Sequence, residues 1–467
     1  MWHPTPAGQR PAALLLCLLV APAMTAAETA VPPALSKQAL EILTRSVGFR
    51  TAKGEGQVPA YAAYLSTVLQ SGGFAVSDIE ITPMGETAMM IARYAGTDPQ
   101  ARPIVIAAHM DVVAAQREDW ERDPFVAIVE DGYVFGRGTA DNKFGIVSMV
   151  AALLWLKEEG FRPRRDILLA LTGDEETSQS TTAVLAERLK HAEMLLNSDA
   201  GGGELGDDGK PVVYALQAAE KTYMDFEVTF TNPGGHSSRP GPKNAIQDMA
   251  RAISNIAGYR FPARSSELTR AYLRAAGRLQ QGEVGDAMLR YAEDPSDQAA
   301  FDLLASKPGY VGQLGTTCVA TMAKAGHAPN ALPQNAMVNI NCRVFPGESV
   351  ESVQATLARV IDDPAASIAV VGEPVPSDAS PLREDVMQAL RRAIDLRAPG
   401  LPIVPSMSAG ATDGLYFRNL GVPSYGVSGI FMHPKDSFAH GLNERVPVAT
   451  IDGAVLQWRS LLRDLSR

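Results

Sequence analysis

The sequence predicts an α/β fold, a mostly parallel sheet with helices on its faces, interrupted by a second, smaller α+β unit. Three observations carry this. Between residues 88 and 197, short continuous apolar runs alternate with an apolar helix candidate, as strands buried on both faces of a parallel sheet do. After residue 201 the texture changes to alternating strands and charged helices. From residue 381 the first pattern returns, which places the second unit inside the first.

The 467 residues begin with a stretch that reads as a secretory signal. Within residues 1–27, Arg10 is the only Lys or Arg, and residues 12–21 (AALLLCLLVA) form an apolar core too short to span a bilayer. Thr25, Ala26 and Ala27 supply the cleavage positions, with the cut expected before Glu28. The alternative is a buried N-terminal helix. A signal predicts an exported protein, periplasmic or secreted. No later segment has 18 consecutive apolar residues, so no membrane association is expected after cleavage. Two cysteines, Cys318 and Cys342, remain. They form either one bridge in an oxidising compartment or two small buried hydrophobes.

Residues 36–69 carry apolar side chains at helical spacing. Runs at 88–94, 104–108, 166–172 and 194–197 follow as strands, with the apolar helix at 145–157 between them. The stretch 201–211 (GGGELGDDGKP) is turn-rich and reads as a boundary. Residues 221–231 (KTYMDFEVTFT) alternate like a half-buried antiparallel strand, and 244–256 is a helix. Residues 264–305 are polar and helical, 315–323 and 336–345 alternate again, and 349–361 is a helix. A helix at 383–396 and a strand near 423–427 close the chain. The domain limits expected are 28–218 and 376–467 for the α/β part and 219–375 for the insert. Strands 315–323 and 336–345 are expected to pair antiparallel. A hairpin symmetric about residue 330 sets Cys318 opposite Cys342, whereas a bulge turns them to opposite faces.

With 42 Lys and Arg against 52 Asp and Glu, the net charge is -10, and no run of five basic residues occurs. That disfavours a nucleic-acid partner, which needs a clustered basic surface.

The residues with chemistry sit at strand ends. His109, in His109-Met110-Asp111, ends the run 104–108 and faces the crevice where such sheets bind ligands. Asp111 is spaced to orient its imidazole. Asp141, in GRGTADNK, opens a helix and reads alone as an N-cap. Asp174-Glu175-Glu176 ends the run 167–171; three adjacent carboxylates in a cleft call for a cation. Asp199 follows another strand, and alone reads as a turn residue. His236 lies in the insert and His440 near the C-terminus, while His191 reads as a surface residue and His327 and His433 as loop residues. Two His with several carboxylates suit a hydrolytic zinc site.

The motifs HMDVV, GRGTADNK, GDEETS, NSDAGG, PGGHSS and AHGLNE resemble, in order and spacing, the zinc exopeptidase and deacylase family of aminoacylase, succinyl-diaminopimelate desuccinylase, glutamate carboxypeptidase and carboxypeptidase S. The segment Leu314-Gly315-Thr316-Thr317 and the long insert resemble the carboxypeptidase S branch most. The resemblance implies two zinc ions per chain. His109, Asp141 and Asp199 would hold one, and Asp141, Glu176 and His440 the other. It further implies Glu175 as general base, Asp111 as the group orienting His109, and His236 on an inserted lid as oxyanion stabiliser. Asn330 and Arg343 would bind a substrate carboxylate. It also implies a cis Asp141–Asn142 peptide bond and, as a candidate partner, a second copy docked through the lid. The substrate expected is a short peptide or an N-acyl amino acid. Asp at position 199 leaves open the polarity of cleavage: carboxypeptidase, dipeptidase or aminopeptidase, or a narrow deacylase. A non-catalytic scaffold on the same fold is the remaining alternative.

Overall fold

The computed structural model describes residues 30–467; the signal expected at 1–27 lies outside them. Ten strands form the main sheet. Along its path they run Ile79–Met84, Thr87–Tyr94, Ile167–Thr172, Ile104–His109, Met194–Asn197, Ser424–Gly426, Pro211–Glu220, Gly202–Leu205 and Phe431–Met432. Ile403–Ser408 pairs beside Pro211–Glu220, off that path.

The centre of the sheet is parallel, from Ile167–Thr172 through Ile104–His109 and Met194–Asn197 to Ser424–Gly426. Every residue of these four strands is buried, which is why they read as unbroken apolar runs. Helix Lys143–Glu158 lies against them with nearly all of its residues buried. Its apolarity all round, rather than on one stripe, follows from packing on the sheet and on helix Thr450–Leu465. Antiparallel pairs flank the centre at Ile79–Met84 with Thr87–Tyr94 and at Gly202–Leu205 with Pro211–Glu220.

Three elements differ from the sequence reading. The helical stretch 36–69 is two helices, Pro33–Val47 and Val58–Ser71. Between them Gly54 and Gly56 hold φ of 87° and 64°, values that glycine alone adopts without cost. The stretch 201–211 is a hairpin of the main sheet, because only its Gly and Asp residues at 206–210 turn while Gly202–Leu205 pairs with the strand after them. Strand Ile403–Ser408 was hidden by Pro405, which argues against a central strand; here the strand pairs on one side only, with Pro211–Glu220.

A second sheet is wholly antiparallel, in the order Thr317–Ala325, Asn335–Val344, Thr222–Thr231, Ser367–Val371. Its inward residues alternate along the strands. Met224, Phe226, Val228, Val338 and Ile340 meet helices Ala245–Gly258 and Val350–Ile361 in a core of their own. The polar stretch 264–305 forms three helices, Glu267–Leu279, Glu283–Glu293 and Gln298–Ala305.

Cys318 and Cys342 stand opposite each other and are bridged. Near the hairpin loop the register is offset by one residue, pairing Ala325 with Ala336. A bulge between Ala320 and Met322 removes the offset before Cys318 is reached. A bulge is therefore present, yet it restores the facing pair instead of separating it.

Candidate metal centre

The parallel strands deliver their chemistry at their carboxyl ends. Ile104–His109 ends in His109, Ile167–Thr172 runs into Asp174-Glu175-Glu176, and Met194–Asn197 runs into Asp199. Adjacent strands in register place these groups along one edge of the sheet. Asp141 reaches the same point from the loop before helix Lys143–Glu158, and the Asp141–Asn142 bond is cis. His440, with φ of 62°, comes from the C-terminal loop.

These side chains converge. His109 Nε2 lies 2.8 Å from Asp141 Oδ1 and 3.5 Å from Asp199 Oδ1. His440 Nε2 lies 3.1 Å from Asp141 Oδ2 and 2.9 Å from Glu176 Oε1. Asp141 thus presents one oxygen to each imidazole, and each imidazole has a carboxylate of its own. Two groups of three side chains lie close enough to share a metal ion, His109 with Glu175 and Asp199, and His109 with Asp141 and Glu176. His109 is buried, whereas the His440 side chain is 54% exposed, so solvent reaches the cluster from the His440 side.

Asp111 lies against His109, through its main chain more closely than through its carboxylate. The nearest partner of His109 Nδ1 is the main-chain oxygen of Asp111, at 3.0 Å, while the carboxylate is 3.6 Å away. That carboxylate accepts the backbone N–H groups of Glu175 and Glu176 at 3.1 and 3.0 Å. One residue therefore fixes both the imidazole and the turn carrying the two glutamates. Glu175 Oε1 also accepts from Gln179 Nε2 at 3.2 Å.

The electrostatics follow from packing acids out of water. Burial pushes the Glu175 carboxyl up to about 10; the charges of Asp199, Asp413 and Glu176 add to this and His109 opposes it. Burial likewise lifts Asp199 to about 7 against the pull of His109. Asp141 goes the other way. Its burial is outweighed by hydrogen bonds to His109 and His440, which hold it below the usual carboxylate range. Hydrogen bonds to Asp141 and Glu176 raise His440 to about 10.

Residues without an assigned role complete the site. Glu444, fully buried, accepts the N–H groups of Gly138, Ala140 and Asp141 at 3.0, 2.8 and 3.0 Å and the Arg137 guanidinium at 2.7 Å. It ties down the loop that carries Asp141. Asn142 Nδ2 donates to Asp199 Oδ1 at 2.7 Å. Asp413, also fully buried, accepts from Thr172 and Thr182 at 2.8 and 2.5 Å. Glu444 and Asn142 lie inside recognisable motifs, but Asp413 had no sequence signal beyond an acid before a short helix.

The remaining candidates lie apart from the cluster. His236 and Asn330 are exposed neighbours at a short two-stranded ribbon, Gly235–His236 with Ala331–Leu332, where Ser237 N donates to Asn330 O at 3.0 Å. Neither borders the cavity around the carboxylates. Arg343 donates to Ala409 O at 2.7 Å and stacks on Tyr223, 4.7 Å from the ring centre. Ala409 lies between Ser408 and Ala411, which border that cavity. Arg343 is thus bonded to the segment that borders the cavity and does not itself line it. His191 and His327 are exposed, and His433 pairs with Asp207 at 3.0 Å.

The sequence pattern of Peptidase family M20/M25/M40 matches residues 105–464. The chain is 28% identical over 384 residues to the human N-fatty-acyl-amino acid synthase/hydrolase PM20D1, covering 77% of this chain and 73% of that protein. It is 26% identical over 385 residues to a probable carboxypeptidase S-like 2 of Dictyostelium discoideum, covering 77% and 71%. Among solved structures, the M20 family metallo-carboxypeptidase Sso-CP2 from Sulfolobus solfataricus superposes with a TM-score of 0.68 at 18% identity, over 92% of this chain and 99% of that one.

Proposed function

This chain belongs to Peptidase family M20/M25/M40, and from that premise we propose an exported two-zinc hydrolase of short peptides or N-acyl amino acids with a free carboxylate. The observation that carries the two-metal reading is Asp141. Its two oxygens serve His109 and His440 separately, with Asp199 on one side and Glu176 on the other. The donor set of imidazoles and carboxylates is one zinc accepts. A cation also fits acids that burial, with neighbouring carboxylates adding to it, pushes up at Glu175 and Asp199. His109, Asp141 and Asp199 would hold one ion, and Asp141, Glu176 and His440 the other. Bound zinc supplies Lewis acidity and lowers the pKa of a coordinated water to about 7.

Glu175 is the proton carrier. Its carboxylate lies within metal-sharing reach of His109 and Asp199, but the motif pattern assigns the ligand role to its neighbour Glu176, and Asp111 and Gln179 hold Glu175 in place. It takes a proton from the attacking water and returns it to the amine nitrogen as the C–N bond breaks, giving a carboxylic acid and an amine. Arg343, bonded to the segment that borders the cavity, would receive the substrate carboxylate. His236 and Asn330 would act on a second copy's site. The edge strand Thr317–Ala325, with Val319 57% and Met322 69% exposed, is the surface through which two copies would pair. Export rests on residues 1–27. A deacylase of narrow acyl range is favoured as the second reading by the human relative, whose name specifies N-fatty-acyl-amino acids.

The test is a panel of dipeptides blocked at the N-terminus, blocked at the C-terminus, or free at both ends, assayed after chelation and after zinc is restored. Zinc-dependent cleavage of N-blocked substrates with a free carboxylate is expected. Cleavage confined to C-blocked substrates, or unaffected by chelation, would overturn the reading.

A further inference from the structure

Five described residues other than glycine hold a positive φ: Asp131, Gln179, Asp362, His440 and Asn443. Asp, Asn and His enter that region more readily than other side chains; Gln179, at φ 53° and ψ 23°, is the exception. It precedes helix Ser180–Leu189 and ends the turn that carries the two glutamates. The turn does not need its side chain. Gln179 N donates to Asp174 O at 2.8 Å, and the Asp174 carboxylate accepts from Ser178 Oγ, Ser180 N and Thr181 N at 2.6, 2.9 and 2.9 Å. Glycine could make the same backbone bond at position 179 and adopt this φ without cost. What glycine lacks is the amide. Gln179 Nε2 donates to Glu175 Oε1 at 3.2 Å, and Gln179 Oε1 accepts from the Tyr416 hydroxyl at 3.2 Å. The two bonds agree on one orientation of the amide, because a flipped amide would set an oxygen against the carboxylate. Tyr416 comes from a separate helix, Gly414–Asn419, and its half-buried ring packs against the core that holds Leu185 and Val422. Asp111 bonds only the main chain of Glu175. Among the described residues Gln179 alone donates to the Glu175 carboxylate, and no group donates to its Oε2.

We infer that Gln179 is a positioning residue for the proton carrier: its amide, aimed by the Tyr416 hydroxyl, holds Glu175 by Oε1 and leaves Oε2 as the oxygen that takes the proton and returns it. The inference rests on the reading of Glu175 given above. The proton leaves the attacking water for Oε2, and the same proton leaves Oε2 for the amine nitrogen as the C–N bond breaks. A carboxylate free to turn would present that oxygen to both partners in only a fraction of its orientations, and the bond at Oε1 removes this freedom. Tyr416 acts through Gln179 and touches neither Glu175 nor the reacting atoms. The backbone of Gln179 fits the same account: a residue held in a conformation that glycine adopts freely is retained for its side chain.

The experiment compares zinc-loaded wild type with Gln179→Gly, Tyr416→Phe, their double variant and Glu175→Ala on one substrate of the panel above, with zinc content and melting temperature measured for each. Gln179→Gly is expected to lower kcat by about 10–100-fold, the cost of a misplaced catalytic group, with KM within about twofold of wild type. Its zinc content and melting temperature should be no lower than in wild type. Tyr416→Phe keeps the ring and should lower kcat by about two- to tenfold, the worth of one neutral hydrogen bond. The double variant should be no slower than Gln179→Gly alone, because Tyr416 acts only through Gln179. Diffraction from Gln179→Gly crystals supplies a readout independent of turnover: the Glu175 carboxylate should occupy more than one orientation, where wild type shows one. A kcat for Gln179→Gly within about twofold of wild type would overturn the inference. So would a loss that tracks a lower melting temperature, or a double variant slowed by the product of the two single losses. If Glu175→Ala is inactive while Gln179→Gly is not slowed, the proton-carrier reading stands and the positioning inference alone is lost. If Glu175→Ala keeps activity within about tenfold of wild type, or no substrate of the panel is cleaved, the reading of Glu175 fails and the inference falls with it.

Discussion

Glu444→Ala is expected to destabilise the protein by about 3–5 kcal/mol, the usual cost of stranding one partner of a buried ion pair. The magnitude follows from what Glu444 holds. Its carboxylate is fully buried, accepts Arg137 Nη1 at 2.7 Å, and accepts the loop amides of Gly138, Ala140 and Asp141 at 2.8–3.0 Å. Truncation leaves a guanidinium that is 3% exposed without its anion, and leaves three N–H groups without their acceptor. Each unsatisfied group costs about 1–3 kcal/mol taken singly, and such costs do not simply add within one network. Arg137→Met/Glu444→Leu removes the stranded charge but not the stranded amides, so it should recover part of the loss and remain less stable than wild type. Because Asp141 N is one of the three donors, zinc affinity should also fall, by about 10–100-fold as for other groups supporting a ligand. The assay is urea unfolding followed by far-UV circular dichroism, with zinc competition against a chromophoric chelator. A loss of stability under about 1 kcal/mol would refute the reasoning, because the loop would then be held by something other than Glu444.

Glu175→Ala is expected to cut turnover by about 10²–10⁴ while zinc content stays near that of wild type; activity within tenfold of wild type removes Glu175 as the proton carrier. In chelator-stripped protein, stability should fall as pH rises from about 5 to 7, below the range in which the buried Lys143, lowered to about 7, acts in the opposite direction. Glu175, at about 10, and Asp199, at about 7, both sit above their unfolded values, so the folded state binds more protons across that window and loses that advantage on titrating. His440, raised to about 10, acts in the same direction above its unfolded value, and Glu175→Gln should flatten the slope; a melting temperature that climbs over this range contradicts the site's electrostatics. Denatured, unreduced mature protein should show no free thiol, since Cys318 and Cys342 are bridged across 24 residues. Removing that bridge should cost about 3 kcal/mol; two titratable thiols per chain would rule the bridge out.

Much of the site was legible because its groups stand where a parallel sheet ends. His109, Glu175, Glu176 and Asp199 each follow a buried apolar run, and that alone brings them to one edge. Asp141 and His440 come from loops, and their arrival at the same point depended on motif order, since no periodicity predicts where a loop goes. The role of Asp111 was half legible. Its spacing from His109 suggested an orienting group, but main-chain carbonyls leave no mark in a sequence, and the carboxylate is engaged with the amides of Glu175 and Glu176. Asp413 was not legible, because a buried acid satisfied by two threonines looks in sequence like any helix-starting aspartate. In the fold, Ile403–Ser408 escaped because one-sided pairing tolerates Pro405. The division of 36–69 into two helices rested on glycines whose positive φ only the structure displays.

The central claim is that one aspartate is shared by two metal ions. Diffraction at the zinc absorption edge, from crystals grown with zinc, tests it directly. Two anomalous peaks are expected, one among Asp141, His109 and Asp199 and the other among Asp141, Glu176 and His440. A single peak, or two peaks of which either lies out of reach of Asp141, would contradict it.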